Sequence, residues 1–138
     1  MRNWQITIPH EYPFLFIDRV ISLEEDSSII CEKAITQSEF YYSRSGSEKG
    51  YFPRVLLVEA MAQASGLLIM VTVEGSKKKM GYLSSLSNVV FHDDVSAGEL
   101  ITIVSEFLLK IMPHCAFRAY IKKEDKLIAE AELTLTVF

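Results

Sequence analysis

An acidic residue interrupts the most apolar stretch of the chain. Glu59 stands between Val58 and Ala60 in a run rich in Leu, Ala and Met. A carboxylate in apolar surroundings is costly unless it is paired, hydrogen-bonded or protonated, and its pKa tends to rise, as in a general acid or base. Gln63, four residues later, shares its helical face and can hydrogen-bond it. The competing interpretation is that Glu59 lies near a helix start and points to solvent, where acidic residues are favoured.

The remaining chemically capable residues form no recognisable constellation. Ser45 lies in a polar, glycine-containing loop without a GxSxG setting. The cysteines, Cys31 and Cys115, lie in apolar runs without a CxxC pair, so we expect reduced core thiols. The histidines have no metal-ligand spacing and are expected at the surface or in turns. They are His10, His92 and His114. We therefore predict neither a metal site nor a cofactor.

Length and charge limit the class of protein. A chain of 138 residues with 49% apolar and 23% charged residues is expected to form a single globular domain over 1–138. The net charge of -4 argues against a dedicated nucleic-acid binder. The longest uncharged stretch, Ala60 to Val73, is shorter than the roughly 18 residues of a membrane span. With no apolar leader at the start, we expect a cytoplasmic protein.

The first half of the chain predicts a hairpin, a loop and a helix. Phe14 to Leu23 and Ile29 to Thr36 read as strands around a polar turn. Phe40 to Pro53 is dominated by small and polar residues and predicts a loop. Val55 to Val73 is too long for a strand and predicts a helix. Its residues are apolar on nearly every face, which predicts burial all round.

The second half predicts hairpin-connected strands. They are expected over Met80 to Phe91, irregular around Ser84 to Asn88, then over Leu100 to Ile111 and Cys115 to Lys123. From Ala129 to Val137 apolar and polar residues alternate, and Leu127 shares the apolar face, as in an antiparallel strand with one covered face. The sum is an α+β domain, an antiparallel sheet wrapped on one helix. That helix has more apolar faces than one sheet can cover, and sheet edges need pairing, which predicts a dimer.

Two long motifs resemble a known enzyme family. Pro9 to Val20 closely resembles the P-H-R-Y-P-F-L-x-x-D-R-V segment of bacterial 3-hydroxyacyl-(acyl-carrier-protein) dehydratases of the FabZ type. Val55 to Gly66 is similar to their central-helix motif V-L-x-x-E-A-M-A-Q-x-x-G. Weaker likenesses follow at Phe91, Val95, Gly98, Glu99 and Leu127 to Leu133. The resemblance implies the hotdog fold, with dimers or trimers of dimers and an acyl tunnel at the dimer interface.

The same resemblance implies a site for an acyl thioester carried on acyl carrier protein or coenzyme A. In the family a loop histidine removes the α-proton, and a glutamate of the other protomer serves the departing hydroxyl. Counting back from Glu59 places Ser45 at the position of that histidine. Arg54 replaces a helix-start glycine whose region offers the thioester carbonyl a backbone N–H. The substrate-binding residues implied are Phe52, Pro53, Arg54 and Val55, with Gln63 supporting the catalytic Glu59.

Three hypotheses about function remain open. A serine without an activating partner is no general base at neutral pH, and losing the base costs ~10²–10⁴ in rate. The first hypothesis is an acyl-thioester-binding protein of the dehydratase type in fatty-acid or related acyl-chain metabolism, with the usual dehydration impaired by Ser45. The second is a hotdog thioesterase that uses Glu59. The third is a partner subunit, not an enzyme by itself, that supplies structure, or one Glu59, to a histidine-containing dehydratase paralogue in a heterodimer.

Overall fold

One helix and a single antiparallel sheet make up the part of the chain that the structure describes. The structure is a computed structural model, and it describes residues 15–36, 51–72 and 81–137. The elements are β1 (Arg19–Glu24), β2 (Ser28–Ala34), α1 (Arg54–Thr72), β3 (Gly81–Phe91), β4 (Leu100–Ile111), β5 (His114–Lys123) and β6 (Lys126–Val137). The six strands are arranged in the order β1-β2-β4-β5-β6-β3. The predicted α+β hotdog architecture is confirmed.

The first hairpin is present, but its first strand begins later than predicted. β1 pairs with β2 from Arg19, whereas residues 15–17 are extended without strand pairing. The reason lies in the partner of Phe16, whose N–H donates to the Gln63 side chain at 2.8 Å and not to a neighbouring strand. The apolar run from Phe14 therefore marks buried chain as well as strand, and Phe14 itself lies outside the described residues.

The helix packs on the inner faces of the sheet, chiefly against β2, β4, β5 and β6. Side chains at a spacing of three or four residues are fully buried there: Leu57, Ala60, Met61, Ala64 and Leu68. The opposite face stays partly open in the single chain, and Val55 is 71% exposed. Burial on every face is thus wrong for one chain, because one sheet covers only part of the helix. The expectation that the apolar faces outnumber what one sheet can cover is confirmed.

The later strands follow the predicted pattern. β3 carries two bulges or register shifts, between Leu83 and Ser85 and between Ser87 and Val90, where irregularity was expected. The inner face of β6 is buried through alternate residues, ending at Val137. Both cysteines are free and buried, and burial raises the pKa of Cys31 to about 12. Among the described residues, no helix combines the length and the hydropathy needed to cross a membrane.

The two edges of the sheet differ in character. β3 carries no charged residue and exposes large apolar side chains. They are Tyr82, Leu83, Leu86 and Val90. β1 is shorter, is interrupted by a bulge, and carries Arg19 and Glu24. Charge, shortness and bulges protect an edge from pairing with another chain. The β3 edge therefore lacks the charge and the shortness of the β1 edge, although both strands are bulged.

Candidate active site

Glu59 lies in the second turn of α1 on its partly open face, and it is half-buried. Nε2 of Gln63 donates to Oε1 of Glu59 at 3.2 Å, so the hydrogen bond expected from their spacing is present. Gln63 is buried, and its Oε1 accepts the N–H of Phe16 at 2.8 Å. With its oxygen engaged by the backbone, the amide presents its nitrogen to the carboxylate. The orientation of Glu59 is thereby tied, through Gln63, to a segment that lies 47 residues before Gln63 in sequence.

The segment that supplies the Phe16 N–H is anchored to β2. Asp18 accepts the N–H of Ala34 at 2.7 Å through Oδ2, and its own N–H donates to the carbonyl of Glu32 at 2.9 Å. Nζ of Lys33 lies 4.0 Å from Oδ1 of the same carboxylate. Lys33 is only 4% exposed, although Lys is almost never fully buried unless paired. Asp18 thus combines a backbone hydrogen bond with proximity to a buried cation.

The predicted substrate-binding residues lie together at the start of α1. Phe52 is buried, and its ring packs edge-on against Phe16 with centroids 6.0 Å apart. The Pro53 carbonyl accepts the N–H of Leu56 at 3.0 Å and begins the helix. Val55 is exposed and lies one turn before Glu59, on the same face. Contact of these residues with a thioester stays a prediction, and in this single chain Phe52 offers no open surface.

Arg54, the first residue of the helix, is tied to the connection between β3 and β4. Its Nε lies 2.9 Å from Oδ1 of Asp94, and its guanidinium lies over the Phe91 ring at 5.4 Å from the centroid. Both groups are partly exposed, so the ion pair is a modest contribution. The arginine that stands where the resemblance places a glycine is therefore held by the end of β3 and the residues that follow it.

A turn over residues 95–99 is hydrogen-bonded to Ile35 and to Phe52, described residues on either side of Ser45 in sequence. The N–H of Ile35 donates to the Glu99 carbonyl, and the N–H of Phe52 donates to the Val95 carbonyl at 2.7 Å. Glu99 stabilises the turn by accepting from the N–H and hydroxyl of Ser96. Partial burial by itself raises the pKa of Glu99, but the Lys123 ammonium and the hydrogen bonds from Ser96 outweigh it. The pKa of Glu99 is therefore lowered. Ser45 itself lies outside the described residues, so its predicted position is untested.

The described histidines are engaged elsewhere. His92 Nε2 lies 3.0 Å from Oε2 of Glu130, whose strand neighbours on either side face the core. His114 Nδ1 lies 3.0 Å from the hydroxyl of Thr136. His92 therefore lies on the outer face of the sheet, opposite the helix, while His10 is outside the described residues. Among the side chains that the structure describes, no cluster of His, Cys, Asp and Glu has the makings of a metal site.

Two contributors to this site were missed by sequence reasoning. Lys33 alternates with Ile29 and Cys31 on the inner face of β2, and that alternation was a usable signal for its burial. Asp94 follows β3 in an unremarkable polar pair, and no local pattern indicates its contact with Arg54. Within the described residues, Glu59 thus offers one oriented carboxylate that can exchange a proton.

Comparison with known proteins identifies the family. A model of the ApeP-like proteins, described as ApeP dehydratase, matches residues 3–138. The chain belongs to the ApeP-like dehydratase family. Curated relatives agree: it is 31% identical over 126 residues to a 3-hydroxyacyl-(acyl-carrier-protein) dehydratase FabZ of Ruminiclostridium cellulolyticum, covering 91% of this chain and 88% of that protein. A FabZ of Actinobacillus pleuropneumoniae is 35% identical over 127 residues, covering 91% and 82%.

Solved structures place this ApeP-like chain in the hotdog fold. The dehydratase heterocomplex ApeI:P from Xenorhabdus doucetiae superposes with a TM-score of 0.81 at 19% identity, covering 94% of this chain and 86% of that chain. A Streptococcus mutans protein bound to acetyl-CoA superposes with a TM-score of 0.72 at 14% identity, covering 95% of each chain. At such identities these likenesses establish the fold, and the predicted family resemblance is confirmed by the closer sequence matches.

Proposed function

We propose that this chain is one subunit of a two-chain dehydratase acting on 3-hydroxyacyl thioesters, to which it contributes Glu59 as the acid. The observation that carries the proposal is that the chain has an oriented Glu59 but no histidine at the position of the catalytic base. Gln63 holds the carboxylate, and Ser45 stands where the resemblance places the catalytic histidine. The sequence has no histidine between His10 and His92. The base is then supplied by a histidine of the partner.

The reaction needs one base and one acid on opposite sides of the departing groups. The partner's histidine takes the proton from C2 of the thioester, and the C2–C3 double bond forms as the C3–O bond breaks. Glu59, in its protonated form, gives its proton to the leaving hydroxyl, which departs as water. The products are a 2-enoyl thioester and water, so atoms balance without a cofactor. Positioned acid–base catalysis of this kind contributes typically ~10²–10⁴ in rate.

The β3 edge supports pairing with a second hotdog chain. It is uncharged and exposes Leu86 and Val90, while the opposite edge at β1 is charged and bulged. Pairing there extends the sheet across two chains and satisfies the unpaired backbone groups of the edge. It also covers apolar side chains whose exposure costs free energy in a single chain. We propose this edge as the dimer contact.

The comparisons support both parts of the proposal. The curated relatives are named as dehydratases of 3-hydroxyacyl chains on acyl carrier protein, which suggests that class of substrate here. The neighbour named ApeI:P is a dehydratase heterocomplex, which suggests a second, different chain as partner. The acetyl-CoA-bound neighbour suggests that coenzyme A is a second possible carrier. We propose a cytoplasmic location, where such thioesters are made.

The test is co-expression with a histidine-containing dehydratase from the same source. The mixed complex, each chain alone, and a mixture of purified chains are assayed for 2-enoyl thioester formed from 3-hydroxyacyl chains on acyl carrier protein and on coenzyme A. We expect this chain alone to fall well below the usual turnover of about 1–10³ per second. A fast homodimer, or the failure of any mixed complex to form, contradicts the proposal.

The same assay distinguishes the thioesterase hypothesis from the dehydratase proposal. A thioesterase releases free thiol from the acyl thioester, whereas a dehydratase leaves the thioester bond intact. Free-thiol release by the chain alone that disappears in Glu59→Gln establishes the thioesterase and removes the need for a partner. Glu24→Gln serves as the matched control, since Glu24 is an exposed glutamate at the end of β1.

A further inference from the structure

We infer that Asp18 is a positioning residue for Glu59, acting through the backbone of Phe16 and the side chain of Gln63. The inference deepens the proposed function and rests on it for the role of Glu59. Asp18 belongs to the first motif, Pro9 to Val20, and Glu59 belongs to the second, Val55 to Gly66. The inference therefore gives the first motif a role in positioning a residue of the second. Asp18 lies outside the helix, and no direct contact joins its carboxylate to Glu59 in the described structure.

The chain of contacts is continuous. Ala34 N–H donates to Asp18 Oδ2 at 2.7 Å, and the Asp18 N–H donates to the Glu32 carbonyl at 2.9 Å. Two residues earlier, the Phe16 N–H donates to Gln63 Oε1 at 2.8 Å. Gln63 Nε2 then donates to Glu59 Oε1 at 3.2 Å. Every link is a hydrogen bond, apart from the two residues of backbone that join Asp18 to Phe16.

The Asp18 carboxylate accepts the Ala34 N–H and also interacts with a buried lysine. It lies 4.0 Å from the ammonium of Lys33, whose side chain is 5% exposed. A carboxylate near an ammonium at such burial stabilises it, and removing the carboxylate takes that favourable interaction away. Loss of Asp18 therefore weakens the attachment of residues 15–18 to β2 at two points, one backbone and one ionic.

The consequence for Glu59 follows from the orientation of the Gln63 amide. With Phe16 in place, the amide oxygen is occupied and the nitrogen faces Glu59. When residues 15–18 shift, the buried amide oxygen loses the hydrogen bond from the Phe16 N–H, which helps to orient the amide. The hydrogen bond from Gln63 Nε2 to Glu59 Oε1 then weakens, and Glu59 is held less firmly in its productive orientation. Misplacement of about 1 Å is enough to cost about 10²-fold in rate.

The first test reads the positioning directly and needs no activity. Hydrogen exchange of the Phe16 amide is measured by NMR in the wild type, Asp18→Ala and Asp18→Asn. Asp26→Asn is the matched control, because Asp26 is also an exposed carboxylate ion-paired to a lysine, here Lys110 at 3.1 Å. We expect Phe16 to exchange about tenfold faster or more in Asp18→Ala. Asp18→Asn, which keeps an acceptor for Ala34, should lie between, and Asp26→Asn should match wild type.

Amides of β5 and β6 report on global stability in the same spectra. Unchanged protection there, with Phe16 accelerated, supports local positioning. If Phe16 keeps its protection in Asp18→Ala, or if all amides accelerate equally, the inference is overturned. The Asp18→Asn variant, which alters the fewest atoms, decides the matter if Asp18→Ala does not fold.

The second test is a double-mutant cycle with Glu59→Gln in the mixed complex. We expect Asp18→Ala to lower kcat with little change in KM, and to have no further effect when Glu59 is already Gln. Equal losses in both backgrounds mean a merely structural role and contradict the inference. If the mixed complex shows no dehydration with any variant, the proposed function fails, and the exchange of Phe16 still decides whether Asp18 positions the segment.

Discussion

Gln63 lies one helical turn beyond Glu59, and its Nε2 donates to Oε1 of that carboxylate at 3.2 Å. The same amide accepts the Phe16 N–H at 2.8 Å through its oxygen. Because both ends of the amide are engaged, its orientation is determined without reference to a ligand. The two motifs that resemble the dehydratases, distant in sequence, therefore meet at this one side chain, and the predictions below follow from that contact and its neighbours.

Replacing Gln63 by Leu removes both hydrogen bonds while keeping a side chain of similar bulk. The buried Phe16 N–H then loses its acceptor, which costs about 1–3 kcal/mol in the free energy of unfolding. In the mixed complex we expect a loss of kcat of about tenfold to a hundredfold, because Glu59 is no longer held. Urea unfolding and steady-state kinetics measure the two effects. A Gln63→Leu complex with wild-type kcat shows that Glu59 needs no support.

A buried pair of hydroxyls joins the helix to the sheet. Ser65 Oγ lies 2.6 Å from Ser105 Oγ and donates to the Met61 carbonyl at 2.8 Å, and both serines are fully buried. Ser65→Ala should destabilise by about 1–2 kcal/mol, because Ser105 loses a partner in a site closed to water. The double variant with Ser105→Ala should lose less than the sum of the single variants. Strictly additive losses in denaturant unfolding mean that the pair is not coupled.

Helices and strands were predictable from the sequence where buried and exposed residues recur in a regular pattern along the element. β6 and α1 were located from sequence to within a few residues, because one side of each faces a single core. Residues 15–17 were misread as strand, since buried extended chain has the same apolar composition as a strand. Lys33 and Asp94 were missed because their partners, Asp18 and Arg54, come from other elements of the fold. The alternation of Lys33 with Ile29 and Cys31 could have indicated its burial, but no local pattern identifies the partner of either residue.

The Glu99 carboxylate predicts a pH-dependent contribution to stability. Its pKa is lowered from 4.5, against the opposing effect of partial burial, by Lys123 and by hydrogen bonds from Ser96. A pKa that is lower in the folded state stabilises above the unfolded value, and that stability is lost as pH falls through the folded value. Glu99→Gln should therefore cost about 1 kcal/mol at neutral pH.

The difference between Glu99→Gln and wild type should shrink as pH falls below about 4.5, the ordinary value of the group. Chemical denaturation at a series of pH values measures it. Glu106→Gln, at an exposed glutamate on β4, is the control. A Glu99→Gln deficit that is constant across this range rules out an ionic origin.

The proposed dimer edge predicts which strand tolerates a charge. Leu86 on β3 and Ile21 on β1 are similarly exposed, at 42% and 45%. Leu86→Lys places an ammonium on the proposed pairing edge and should shift the protein toward monomer. Ile21→Lys, on the opposite edge, should leave the assembly unchanged. Sedimentation velocity at micromolar concentration distinguishes them, and equal behaviour of the two variants removes β3 as the contact.

The most direct test of the central claim is complementation by a single glutamate. The mixed complex is prepared with the partner's own catalytic glutamate removed, so that the only acid left for dehydration is Glu59. Formation of 2-enoyl thioester is then measured with Glu59 and with Glu59→Gln in this chain, using Glu24→Gln as the control. We expect activity with Glu59, retained in Glu24→Gln, and a fall of about 10²-fold or more in Glu59→Gln. Equal activity with Glu59 and with Glu59→Gln contradicts the account.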